Sequence, residues 1–285
     1  MQIKVFVSIL VSCFVLLNTP ASAQPEGWTK PYPAFKVIGN LYGVGTYDLS
    51  VFLITTDAGH ILINTGLEES TALIRENMAT LGYRLEDIAI LLTMQAHWDH
   101  TAAMSEIKQI ADAEVWATAK DARVLEDGGF SDAHFGGEVT FKPVEVERIL
   151  VEGDVIELGD VKLTVYEHPG HTEGSSSYSM QITEGGVEYD VVIANMGTIN
   201  AGKQLEVDPT YVGVSEDFAS TYRRQKQMDV DVWVSAHGSQ YGLHDKYEPG
   251  QAYSPETFVD PEGFVAAVER LEQIYRAQLV EERRQ

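Results

Sequence analysis

The sequence predicts an α/β protein in which two β-sheets pack face to face and helices cover their outer surfaces. Three observations lead there. Short apolar runs bounded by turn residues recur along the whole chain. Helical patterns fall between them in both halves, as a layered fold requires. No low-complexity linker and no repeat of solenoid period divides the chain.

The first element is an export signal. "MQIKVFVSILVSCFVLLNTPASA" carries Lys4, an apolar run over 5–17, and small residues at Ala21 and Ala23. This is the pattern of a cleaved leader, too short and weakly flanked to anchor a membrane. Cleavage after Ala23 leaves residues 24–285 as a single domain, periplasmic or secreted, with no membrane insertion. The alternative is a lipoprotein, because "LVSC" ending at Cys13 fits a lipid-attachment box.

Strands are expected in "KVIGNLYGVG", "VFLITTD", "HILINTG", "IAILLTM" and "AEVWAT", with helices over 70–81 and 102–113. The second half repeats the theme with "VKLTVYEHPG", "SSSYSMQIT", "YDVVIANMG" and "VDVWVSAHG" as strands. Helices are expected over 214–228 and from Asp260–Pro261 towards Arg283.

Charge and cysteine content narrow the chemistry. The chain has 20 Lys and Arg against 43 Asp and Glu. Loss of Lys4 with the leader leaves a formal charge of −24, from 19 basic and 43 acidic residues. Such a surface repels phosphate backbones, which argues against nucleic acid as a partner. Cys13 is the only cysteine, so a chain starting at Gln24 has no thiolate for a metal or a covalent step.

The stretch "QAHWDH" follows the strand "IAILLTM" directly. Alternate residues of an extended chain point the same way, so Gln95, His97 and Asp99 can converge, and a turn brings in His100. Two imidazoles, a carboxylate and an amide oxygen suit zinc. Two further strand ends carry a histidine beside a glycine: His171 in "HPGHTEGS" and His237 in "VWVSAHGSQ". Singly, each reads as an ordinary loop residue; together they complete two sets of three donors.

These motifs resemble the metallo-β-lactamase family, an αβ/βα four-layer sandwich, and within it subclass B3. The similarity runs through "PAFKVIGNLYGVGT", "ILINTG", "HPGHTEGS", "ANMG" and "SAHGSQ". The family's opening H-x-H-x-D-H motif has Gln95 in place of its first histidine, a departure shared by the GOB-type branch. The resemblance implies one or two zinc ions, the first on Gln95, His97 and His171 and the second on Asp99, His100 and His237. It implies hydrolysis of a small-molecule β-lactam by an activated water, with Asp99 orienting that water or accepting its proton, and no serine nucleophile. Relatives that act on other bonds bridge two metals with an aspartate; here that position falls on Met196, or on Asn195 if the register slips by one.

Further roles are expected, those of Thr198 and Asn64 from the same resemblance and the others from position in the sequence. Thr198 is expected to donate to a substrate carboxylate, with Asn200 and Lys203 as weaker candidates and Met196 beside them. Trp28, Phe35, Phe130 and Phe135 are expected at the mouth. The loop at 127–137 reads equally as a cover or as a plain surface connection. His168 is expected to orient a metal ligand and Asn64 to form buried hydrogen bonds below the metals. His60 is expected in a turn, and His134 and His244 on the surface. Two other functions stay open: a hydrolase of lactones, thioesters or phosphoesters, and a non-catalytic zinc-binding domain.

Overall fold

The computed structural model of the protein describes residues 24–284; the expected leader and Cys13 lie outside the described residues. A short helix α1 (Glu26–Thr29) leads into β1 (Phe35–Ile38), β2 (Leu41–Gly43), β3 (Phe52–Thr56) and β4 (Gly59–Ile63). Helix α2 (Ser70–Thr80) crosses to β5 (Ile88–Leu92), and α3 (Trp98–Thr101) and α4 (Met104–Ala111) carry the chain to β6 (Glu114–Thr118). Helix α5 (Ala119–Asp127) and a long loop reach β7 (Arg148–Leu150). The second half runs β8 (Val155–Leu158), β9 (Val161–Glu167), β10 (Ser176–Glu184), β11 (Val187–Ala194), α6 (Val214–Gln225), β12 (Val232–Ser235), α7 (Leu243–Lys246) and α8 (Pro261–Glu282).

Strands β1 to β7 form one sheet in sequence order, and β12-β11-β10-β9-β8 form the other. Two tight turns and the loop over 44–51 make β1 to β4 antiparallel, while helical crossovers make β4 to β7 parallel. The second sheet switches in the same way, with α6 between the parallel pair β11 and β12.

Side-chain alternation explains the layers. Phe52, Ile54, Ile61, Ile63, Ile90 and Leu92 face the inner core, which they share with Val165, Tyr178 and Val191 of the second sheet. Their neighbours Leu53, Leu62 and Leu91 point the other way, against Ile74 and Met78 of α2 and Met104 and Ile107 of α4. A strand buried on both faces reads as an unbroken apolar run, as "HILI" and "IAILL" do. Phe218 and Tyr222 of α6 and Phe264 and Val268 of α8 pack with Val192 and Trp233 of the second sheet. The expected two-sheet sandwich flanked by helices is therefore the observed fold.

Some elements differ from expectation. β7 and β8 are too short for alternation to mark them, and α5 buries only a thin face of Ala122, Val124 and Leu125. The helix expected over 102–113 is α4 at Met104–Ala111, and a separate short helix, α3, precedes it from Trp98 with His97 as its extended cap. The terminal helix starts as expected: Asp260 accepts the Gly263 N–H at 3.0 Å and Pro261 takes the first turn. Among the described residues no helix is long and apolar enough to cross a membrane.

Candidate metal centre

Three strand ends meet at one edge of the sandwich. β5 delivers the segment 93–100, β9 the turn 168–175, and β12 the segment beginning at Ala236. Cross-sheet hydrogen bonds hold them in register. Ser176 N–H and the Asn195 amide both donate to the Met94 carbonyl, and the Tyr178 hydroxyl donates to the Thr93 carbonyl at 2.7 Å. Asn64 lies beneath, wholly buried, accepting the Met94 N–H at 3.0 Å and donating to the Ser50 carbonyl. It thus steadies the peptide that leads into Gln95.

Asp99, His100 and His237 form one cluster, with ligand atoms within 4.8 Å of one another. Asp99 Oδ2 is 3.3 Å from His100 Nε2 and 3.6 Å from His237 Nε2. His97 and His171 form a second pair, with Nδ1 of the first 3.1 Å from Nε2 of the second. Gln95 is buried at the same strand end, two residues before His97.

The surroundings fix which nitrogen of each ring faces inward. His171 Nδ1 meets the Thr198 carbonyl at 2.8 Å, so its proton belongs there and Nε2 carries the lone pair. His237 Nδ1 donates to Asp48 Oδ2 at 3.2 Å, leaving Nε2 towards Asp99. Burial alone would raise the Asp99 carboxyl, but the imidazoles of His100, His237 and His97 outweigh it and hold it well below the carboxylate range. Burial pushes His100 down against the pull of Asp99, and pushes His171 down further with help from His97 and Lys203. An ionised Asp99 and neutral imidazoles at His100 and His171 are the protonation states that a metal needs.

The donors fit a divalent cation on a further count. Both ring nitrogens of His100 are buried without a hydrogen bond. Buried polar atoms are otherwise almost always satisfied, and a metal on one of the two is what would relieve this.

Several expected residues stand elsewhere. His168 touches no site histidine: its Nδ1 meets Ser177 Oγ at 2.7 Å, and the turn at Pro169–Gly170, where Gly170 has φ +130°, parts it from His171. Met196 is 2 % exposed and packs in the apolar core. Phe35 is likewise a core residue, stacked on Phe258 and Tyr247. Lys203 is buried with its amine on the Gly170 and His171 carbonyls at 3.2 and 2.7 Å, so it braces the loop rather than facing a ligand. Phe130 is 68 % exposed. Asn200 is part-exposed and its carbonyl accepts the Lys203 N–H. His60 sits in β4 against Tyr83, and His244 stacks on Tyr47 at 3.6 Å. His134 is half-buried against Phe135.

Other aromatic residues do gather at the rim. Trp28 lies 5.8 Å from the His237 ring and 5.9 Å from Trp98, and Phe135 meets Trp98 at 5.1 Å. Thr198 is part-exposed, with its hydroxyl 3.0 Å from His171 Nδ1. Two acidic residues escaped the sequence reading, Asp48 and Asp132. Asp48 carries no local signal, whereas Asp132, two positions before His134 in a glycine-flanked loop, has the spacing of a side chain that caps a turn.

Known proteins share this fold. The description "Metallo-beta-lactamase superfamily" matches residues 45–184. The metallo-β-lactamase GOB-18 from Elizabethkingia meningoseptica superposes with a TM-score of 0.89 at 40 % identity, covering 92 % of this chain and 97 % of its own. The class B3 di-zinc metallo-β-lactamase LRA-12 from an Alaskan soil metagenome gives 0.88 at 42 %, covering 91 % and 98 %. Among curated proteins, the acyl-coenzyme A thioesterase MBLAC2 of Gallus gallus is 25 % identical over 186 residues, 58 % of this chain and 61 % of its own length. The chain spans less than two thirds of the length of the curated relatives it matches.

Proposed function

Because the chain belongs to the metallo-β-lactamase superfamily, we propose that it is a zinc-dependent hydrolase that opens the β-lactam ring of penicillins, cephalosporins and carbapenems. The observation that carries this reading is the pairing of two donor clusters at one edge of the sandwich, Asp99–His100–His237 and His97–His171 with Gln95 beside them. Those residues would hold one or two zinc ions. The likeness to β-lactamases over nine tenths of the chain supports the lactam amide as the bond broken.

Hydrolysis joins the oxygen of water to the lactam carbonyl carbon, breaks the C–N bond and returns a proton to nitrogen. Bound zinc supplies Lewis acidity and makes water nucleophilic near neutral pH. The residues of this chain do the rest. Asp99, ionised at neutral pH, orients the attacking water and accepts its proton. The Thr198 hydroxyl would donate to a substrate carboxylate; in support, His171 Nδ1–H already has the Thr198 carbonyl, which leaves the hydroxyl proton uncommitted. Trp28, Trp98 and Phe135 offer an apolar rim for the body of the substrate and limit access of bulk water.

A second reading, hydrolysis of a thioester, is favoured by the names of the curated relatives. Against it stand Asn195 and Met196, which cannot supply a carboxylate between two metals. We also infer export with cleavage after Ala23, on the strength of the leader pattern; the intact mass of protein recovered from the periplasm or medium tests it.

The decisive experiment purifies residues 24–285, measures bound metal and assays a chromogenic cephalosporin beside a thioester and a lactone. Ring opening that is abolished by chelator and restored by zinc is the expected result. Turnover of the thioester alone would reassign the substrate, and inertness of zinc-loaded protein towards all three would make this a binding domain.

A further inference from the structure

We propose that Asp132 is a positioning residue that holds the His97 ring for metal and, through the same side chain, ties the 127–137 loop to the metal centre. The inference rests on the metal reading above. Oδ2 of Asp132 lies 3.4 Å from Nε2 of His97, and both residues are buried. The contact falls short of hydrogen-bond geometry, and Nε2 has no other partner. Oδ2 is equally uncommitted among the described residues, because the bonds that Asp132 accepts go to Oδ1. Hydrogen bonds that orient a reacting group are often long before the ligand arrives and tighten with it.

The other nitrogen of His97 shows what this contact would achieve. Nδ1 faces His171 Nε2, on the side where a shared cation would sit. A neutral imidazole carries one N–H, so a proton drawn to Nε2 by the carboxylate leaves Nδ1 as the donor. Asp132 would thereby select both the tautomer and the tilt of the ring.

Oδ1 does the second task. It accepts the backbone N–H groups of His134 at 2.9 Å and Phe135 at 2.5 Å, closing a side-chain-capped turn. That turn sets the Phe135 ring edge-on to His97 at 4.9 Å and to Trp98 at 5.1 Å. One carboxylate thus spans a metal ligand and the loop over it. Coupling through it is reciprocal: zinc should order the loop, and an ordered loop should favour zinc.

The test compares the wild type with D132N, D132A and F135A. Zinc affinity is read by competition with a chromophoric chelator, and loop order by amide hydrogen exchange over 127–137. D132N keeps an oxygen for the turn but loses the charge facing His97. It should weaken zinc binding at one site by about 10–100-fold, with loop exchange near wild type. D132A should weaken zinc and also speed exchange at His134 and Phe135, whereas F135A should keep wild-type affinity. Unchanged affinity in D132N, or an equal loss in F135A, overturns the proposal. The wild type supplies a reading that needs no variant: exchange at His134 and Phe135 should slow on zinc loading, and no change there also overturns it. A wild type that binds no zinc would instead sink the metal reading itself.

Discussion

Asp48 Oδ2 accepts a hydrogen bond from His237 Nδ1 at 3.2 Å, across 189 positions of sequence. Its Oδ1 accepts the Ser239 N–H at 2.9 Å, and its carbonyl accepts the Gly238 N–H at 2.7 Å. Burial would raise this carboxyl, but bonds from His237 and Ser239 hold it below the ordinary range. The loop after β2 therefore aims a histidine that β12 delivers. Substituting Asp48→Asn should weaken zinc binding by about 10–100-fold, while far-UV circular dichroism stays that of the wild type. Competition titration against a chelator checks the affinity.

Gln95 is expected to set the order in which metal is taken up. A neutral amide oxygen is a poorer zinc donor than imidazole, so the Asp99–His100–His237 site should fill first. Zinc titration of the wild type should resolve two stages, and Q95H should tighten the weaker one by about 10-fold, or about 1.4 kcal/mol. Two equal affinities in the wild type would refute the inference.

Gly174 allows the His171 turn to close against α5. A Cβ at this position would lie 2.4 Å from the Asp121 nitrogen, 2.5 Å from Thr118 Oγ1 and 2.6 Å from Asp121 Oδ1. The first of these is backbone and cannot swing aside. G174A should cost about 1–3 kcal/mol, as overpacking does, read as a lower Tm in chelator. It should weaken zinc as well, because His171 moves with the turn.

Glu282 pins the end of α8 to the loop after β11. Its carboxylate, 4 % exposed, accepts the N–H groups of Leu205 and Glu206 at 3.0 and 2.8 Å and the Gln278 amide at 2.9 Å. Burial would raise it, but these donors prevail and lower it from 4.5. A carboxyl lowered on folding adds stability above its unfolded value and loses it as pH falls through the folded one. E282Q should therefore cost about 1–3 kcal/mol at pH 7, and the gap to wild type should shrink on acidification below the ordinary carboxylate range. Urea unfolding midpoints in chelator, taken across that range, measure it.

Much of the site was legible because its parts are local. The 95–100 spacing lies in one strand end and one helical turn, where backbone geometry alone fixes direction. His171 and His237 were legible as histidines beside glycine at strand ends. His168 misled for the opposite reason: it is close to His171 in sequence, but the turn at Gly170 sends it to Ser177. Phe35 and Lys203 were misplaced because an aromatic ring or an amine reads the same in sequence whether it faces a cleft or fills a core.

By itself the sequence determined the layers and their order, since apolar period and turn residues are short-range properties of the chain. It also determined the kinds of donor available, with no thiolate after Gln24 and Gln95 standing in a histidine's place. Only the tertiary structure decided how those donors are held. Asp48 and Asp132 find His237 and His97 through space, and such partnerships depend on how strand ends are packed together, a long-range outcome that no local spacing encodes.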